Sequence, residues 1–116
     1  MNINIPGIDA SKGLDLYDGD ENIYLIVLKS WHKNMPAILD RIKNVSEETL
    51  KDYAISLHGI KGTSTSIGAE SLRSAALDLE LKAKAGDLSG ILANNEAFIE
   101  QAQTLLADIE SALASV

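Results

Sequence analysis

The sequence predicts an all-α protein: an antiparallel up-and-down four-helix bundle with a short additional N-terminal helix. Three observations carry that expectation. Hydrophobic residues make up 46% of the 116 residues but aromatics only 4%, so Leu, Ile, Val and Ala must build the core, which suits helix packing over a sandwich or barrel. Apolar side chains recur at three- and four-residue steps through four long stretches. Short turn signals separate those stretches, and helices joined by short connections pack as antiparallel neighbours. A chain of this length makes one domain, with too little surface to bury for two cores.

Each element has a local cause. Residues 1–8, Met-Asn-Ile-Asn-Ile-Pro-Gly-Ile, alternate apolar and polar side chains and stop at Pro6-Gly7. They read as an ordered lead-in whose isoleucines cover part of the core, ahead of a bundle spanning 9–116. Asp9 or Ser11 can cap a short helix to about Tyr17, and Asp18-Gly19-Asp20 makes a turn. Asp20 then caps a long helix with Glu21 in its first turn. Its apolar spacing runs through Ile23, Val27, Trp31, Met35, Ile38 or Leu39, and Ile42. Pro36 removes a backbone donor and predicts a bend near 32–36, or two shorter helices meeting there.

Asn44-Val45-Ser46 closes that stretch, and Ser46 with Glu47 and Glu48 opens the next helix. Leu50, Ala54, Leu57, Ile60, Ser64 and Ile67 form its expected buried stripe, and Gly68 suits a left-handed C-cap. A further helix is expected from about Ala69 to Ala85, with Leu72, Ala76, Leu79 and Ala83 inward and Gly86 ending it. Asp87 caps the last helix, whose stripe includes Leu88, Ile91, Leu92, Phe98, Ile99, Ala102, Leu105, Leu106, Ile109 and Leu113. Asn95 interrupts that stripe and is expected at its edge or bonded locally.

Composition narrows the function classes. The absence of cysteine excludes disulfides, thiolate catalysis and Cys-ligated zinc, and it fits a reducing compartment. No basic region and apolar run marks a signal peptide, and no stretch has the length of a membrane span. A net charge of −7 disfavours nucleic acid and anionic lipid as partners. The expectation is a soluble, cytoplasmic protein without direct membrane contact.

The stretch Leu57 to Ala69 stands apart. Gly59 and Gly62 fall inside a helical pattern, where each glycine costs roughly 1 kcal/mol relative to alanine. His58 lies about 100° round the helix from Leu57, beside the buried stripe, with Lys61 and Gly62 on its own face at i+3 and i+4. An imidazole, a cation one turn on and cleared space around both suit a histidine that another protein must reach. A neutral imidazole is a competent nucleophile toward phosphorus near neutral pH. An exposed Lys61 would steady the resulting negative charge by only about 0.2–1 kcal/mol. The chain has no GxxxxGK[ST] loop, no Gly-rich strand–helix turn and no evident Mg²⁺ cage of convergent acids. It therefore offers a phosphate acceptor, and donor and metal must come from a partner. His32 has no lysine–glycine companion, reads as a surface or edge residue, and has no spacing to share a metal site with His58. Reversal of the chain near Ile67 would bring Leu77–Glu80 alongside His58. Glu80 is then the candidate to hold the unphosphorylated ring nitrogen, and Lys84, one turn on, can add to a positive rim. Arg73 and Lys51 are further candidates for that rim, against the commoner reading of solvated charges.

His58-Gly59-Ile60-Lys61-Gly62 with Ile67-Gly68-Ala69 resembles the His-x-x-Lys-Gly signature of histidine-containing phosphotransfer domains. Leu79-Glu80, Ala83-Lys84 and Gly86-Asp87 resemble the end of that family's next helix, and Ile8-Asp9 and Gly19-Asp20 its first helix and turn. The likeness runs over roughly residues 8–115. It implies that His58 accepts a phosphoryl group, on Nε2, from a receiver-domain aspartate and passes it to another. It also implies that Lys61 neutralises phosphoryl charge and Gly62 admits the receiver, with Gly59, Gly68, Glu80 and Lys84 in support. Mg²⁺ would sit on the receiver, no cofactor would be bound by this monomeric chain, and a hybrid sensor histidine kinase would be the other partner. Such a protein is a carrier and not an autonomous enzyme. The phosphoacceptor domain of a sensor histidine kinase ordinarily has an acid directly after the histidine, where Gly59 stands. A chemotaxis-type kinase phosphoacceptor domain shares the bundle and a similar motif, and a bundle that binds without being phosphorylated is the third alternative.

Overall fold

Three aspartates set the starts of three helices. The Asp9 carboxylate accepts the Lys12 amide proton at 3.1 Å and begins α1 (Ala10–Asp15). Asp20 accepts from the Ile23 amide at 3.2 Å and begins α2 (Glu21–Ile42). Asp87 accepts from the Gly90 amide at 2.9 Å and begins the last helix. Each satisfies an amide that the helix ladder leaves without a partner. The remaining elements are a 3₁₀ turn (Glu47–Thr49), α3 (Leu50–Ser66), α4 (Glu70–Lys84) and α5 (Leu88–Ala114). This computed structural model describes residues 3–115, and among them all regular structure is helical. No helix among the described residues is long and apolar enough to cross a membrane.

The α3–α4 connection is a Schellman turn. Gly68 sits at φ +80, its amide bonds the Thr65 carbonyl at 3.1 Å, and the Ala69 amide bonds the Ser64 carbonyl at 2.9 Å. A side chain at Gly68 would also run into the Asp9 carbonyl. Asp9 donates its own amide to the Gly68 carbonyl at 2.9 Å, so the first helix is tied to this turn. Two tyrosines complete the tie. Tyr17 donates its hydroxyl to the Ser66 carbonyl and Tyr24 to the Ile67 carbonyl, both at 2.8 Å. Burial pushes the Tyr24 hydroxyl up to about 12, so it stays a donor.

That tie decides which face of α2 turns inward. The expected stripe began at Ile23 and Val27; the buried residues are Tyr24 and Leu28, then Trp31, Met35, Leu39 and Ile42 as expected. Ile23 is exposed and Val27 half-buried. Both pairs have i, i+4 spacing, and the Tyr24 ring, seated where Gly13 lacks a Cβ, selects the second. Pro36 does not divide the helix: α2 is continuous, with Met35 and Leu39 buried on either side of the proline. Ser46 opens the 3₁₀ turn before α3, its amide donating to the Thr49 hydroxyl at 2.9 Å.

Helix α3 packs on α4, α4 on α5, α5 on α2 and α2 on α3, closing a ring around one core. On α3 the buried residues are Tyr53, Leu57, Ile60 and Ser64, while Leu50 and Ala54 are half-buried. Helix α4 buries Leu72, Ala76, Leu79 and Ala83 as expected. In the lead-in, Ile5 enters the core and Ile3 and Ile8 pack against it; Met1, Asn2 and, at the other end, Val116 lie outside the described residues.

Two expectations for α5 fail together. Leu92 is 60% exposed, and Asn95 is buried. Asn95 does not bond locally: it accepts the Tyr53 hydroxyl at 2.7 Å and donates to the carbonyl of Ile42, the last residue of α2, at 2.8 Å. That carbonyl is one of those that a helix end leaves outside its own ladder. One amide thus joins α2, α3 and α5. Asn95→Ala leaves two buried groups without partners, each costing about 1–3 kcal/mol, whereas Tyr53→Phe removes only one donor. Urea unfolding should therefore rank Asn95→Ala as clearly the more destabilising; equal losses would mean the Ile42 contact contributes little.

Candidate functional site

His58 occupies the middle of α3, off the buried stripe, with 67% of its side chain exposed. Its Nδ1 lies 2.8 Å from Glu80 Oε2 on α4. The Schellman turn folds α4 back along α3 and so brings together two residues 22 positions apart. Glu80 is itself only 1% exposed, at the edge of the α4 core face beside Leu79. Lys61, one turn beyond His58, donates to Glu80 Oε1 at 2.8 Å, and Lys84, one turn beyond Glu80, approaches Oε2 at 3.2 Å. The hydrogen bond from Lys61 is the main cause that holds the Glu80 carboxyl down at about 2. Burial opposes it, and the contacts with His58 and Lys84 add to it.

This charge state fixes the imidazole. At neutral pH Glu80 is ionised and can only accept hydrogen bonds, so Nδ1 must carry the ring proton. Neutral His58 is then the tautomer whose Nε2 has a free lone pair. Among the described residues Nε2 has no hydrogen-bond partner. Glu80, Lys61 and Lys84 together carry one net positive charge in a chain of net charge −7, which favours an incoming anion at this place.

The cleared space is real. A Cβ built at Gly59 or Gly62 would meet nothing within 4 Å. Neither glycine serves packing inside the molecule, and both are exposed. Beyond them three hydroxyls bond back to carbonyls one turn earlier, Thr63 to Gly59 at 3.1 Å, Thr65 to Lys61 at 3.0 Å and Ser66 to Gly62 at 3.2 Å. These contacts satisfy the hydroxyls without strengthening the helix.

Of the residues singled out from sequence, His58, Lys61, Glu80 and Lys84 converge, with Gly59 and Gly62 alongside. Gly68 does not join them; ten residues along α3, on the order of 15 Å away, it serves the turn and the contact with Asp9. Arg73 pairs with Glu70 at 3.0 Å and stays out of the cluster. Lys51 is exposed. His32 is half-buried on α2, and among the described residues no group of three or more His, Asp or Glu could hold a metal. The convergence of both lysines on Glu80 goes beyond the sequence reading, in which Lys61 serves the phosphoryl group and Lys84 adds to a positive rim. The i, i+4 spacing of Glu80 and Lys84 was the available signal. Comparison with protein-family models, curated proteins and solved structures finds no match to this chain.

The folded value of about 2 for Glu80 lies below its ordinary 4.5. Its ionised contacts therefore contribute stability in full above about pH 4.5, and that contribution is lost as pH falls toward 2. The stability gap between wild type and Glu80→Gln, from urea unfolding, should be widest at neutral pH and shrink on acidification. A gap independent of pH would contradict the ionised cluster.

Proposed function

We propose that this protein is a phosphoryl carrier that accepts a phosphoryl group on His58 Nε2 from an aspartyl phosphate of a receiver domain and returns it to another. The observation that carries this proposal is the held imidazole: Nδ1 bonded to a buried, ionised carboxylate on a side chain 67% exposed, beside two glycines with open space. In the forward step the Nε2 lone pair forms a P–N bond as the P–O bond to the donor aspartate breaks, and the aspartate carboxylate leaves. Positive charge develops on the ring and is met by Glu80 across the Nδ1–H bond. Such a transition state is loose, and what it requires from the acceptor is mainly placement. Mg²⁺ and the remaining catalytic groups belong to the receiver.

The scaffold assigned to this role is an antiparallel up-and-down four-helix bundle, α2 to α5, with α1 as the additional helix. The ring of helix contacts and the folding back of α4 on α3 support it. A monomer in the cytoplasm, working with receiver domains and a hybrid sensor histidine kinase, is the corresponding setting.

Incubation with a phosphorylated receiver domain is the direct test. Acid-labile, base-stable label should appear on His58 and vanish in His58→Gln with the fold intact by circular dichroism. Label on another residue, or none, overturns the proposal; undiminished receiver binding without label would identify a binding-only bundle. Gly62 supplies a second test. Gly62→Ala should raise stability by about 0.5–1 kcal/mol while slowing transfer from the receiver. A destabilised variant would mean that the glycine serves the fold and not access.

A further inference from the structure

Resting on that phosphoryl-acceptor role, we propose that Lys84, and not Lys61, is the cation that meets the phosphoryl group on His58. Both ammonium groups stand on Glu80, but on unequal terms. Lys61 is 25% exposed and reaches Oε1 at 2.8 Å; Lys84 is 60% exposed and reaches Oε2 at 3.2 Å. Oε2 is also the oxygen that His58 Nδ1 contacts, so the Lys84 ammonium and the imidazole share one carboxylate oxygen.

The two departures have different consequences. If Lys61 left, Oε1 of a carboxylate that is 1% exposed would lose the one donor it has among the described residues, and a buried anion would stand incompletely paired. If Lys84 left, Oε2 would keep the imidazole N–H and Oε1 would keep Lys61. Lys84 can therefore move toward an arriving dianion without stranding Glu80, and its flexible four-carbon stem carries a compact charge suited to that movement. Lys61 is a positioning residue that keeps Glu80 ionised and the ring proton on Nδ1. Nearby cations do not compete for the task, since Arg73 is paired with Glu70 and Lys82 with Asp78.

Phosphoramidate tests this without a receiver: the His58 Nε2 lone pair forms the new P–N bond, the donor's P–N bond breaks and ammonia leaves. Lys84→Met should take up phosphate about two- to fivefold more slowly than wild type, with a weaker dependence on salt. Lys84→Arg should recover most of the rate. The ¹⁵N signals of unphosphorylated His58 should still report Nδ1–H in Lys84→Met and shift toward a mixture of tautomers in Lys61→Met. Wild-type rate and salt dependence in Lys84→Met would overturn this assignment alone. A slow Lys84→Met whose tautomer has also moved would likewise overturn it, because the effect would then run through Glu80. Failure of wild-type His58 to take up phosphate from either phosphoramidate or a receiver would remove the acceptor role itself, and this assignment with it.

Discussion

One buried carboxylate governs the site. Glu80 is nearly inaccessible, and an isolated anion in that position would be costly. It is tolerated because three donors from two helices close on it. Two of those donors, His58 and Lys61, also tie α3 to α4 away from the turn that joins them. The same contacts that make the charge bearable decide where the imidazole proton sits. Stability and reactivity here rest on a single set of hydrogen bonds.

Holding that geometry requires a helix that does not slide. Helix α3 is fixed near its start through the Tyr53–Asn95–Ile42 chain and at its end by the Schellman turn and two tyrosine hydroxyls. Between these fastenings lie His58 and two glycines that meet no neighbour. The intrinsic weakness of glycine in a helix is thus confined to a segment anchored on both sides.

Much of this was legible in the order of residues because its causes are local. Asp9, Asp20 and Asp87 announce helix starts, and Gly68 and Gly86 announce left-handed ends. The meeting of His58 with Glu80 follows from counting equal distances either side of a turn. What stayed hidden has tertiary causes. Periodicity could not choose Tyr24 over Ile23, since the choice depends on a gap at Gly13 contributed by another helix. Nor could it foresee that Asn95 enters the core while Leu92 leaves it, because the partners of Asn95 come from α2 and α3. The pairing of Lys61 with Glu80 was equally hidden, because the two residues stand on different helices and meet only when both are in place.

The tie between Asp9 and Gly68, flanked by Tyr17 and Tyr24, has a mechanical corollary. A pull applied upstream is taken first by the core contacts of Ile3, Ile5 and Ile8 and then, through Asp9, by the carbonyl end of the histidine-bearing helix. Affinity handles, fluorophores or fused proteins attached on that side therefore reach the reactive segment through those two fastenings in series. Immobilisation through the tail of α5 enters the molecule along a different helix.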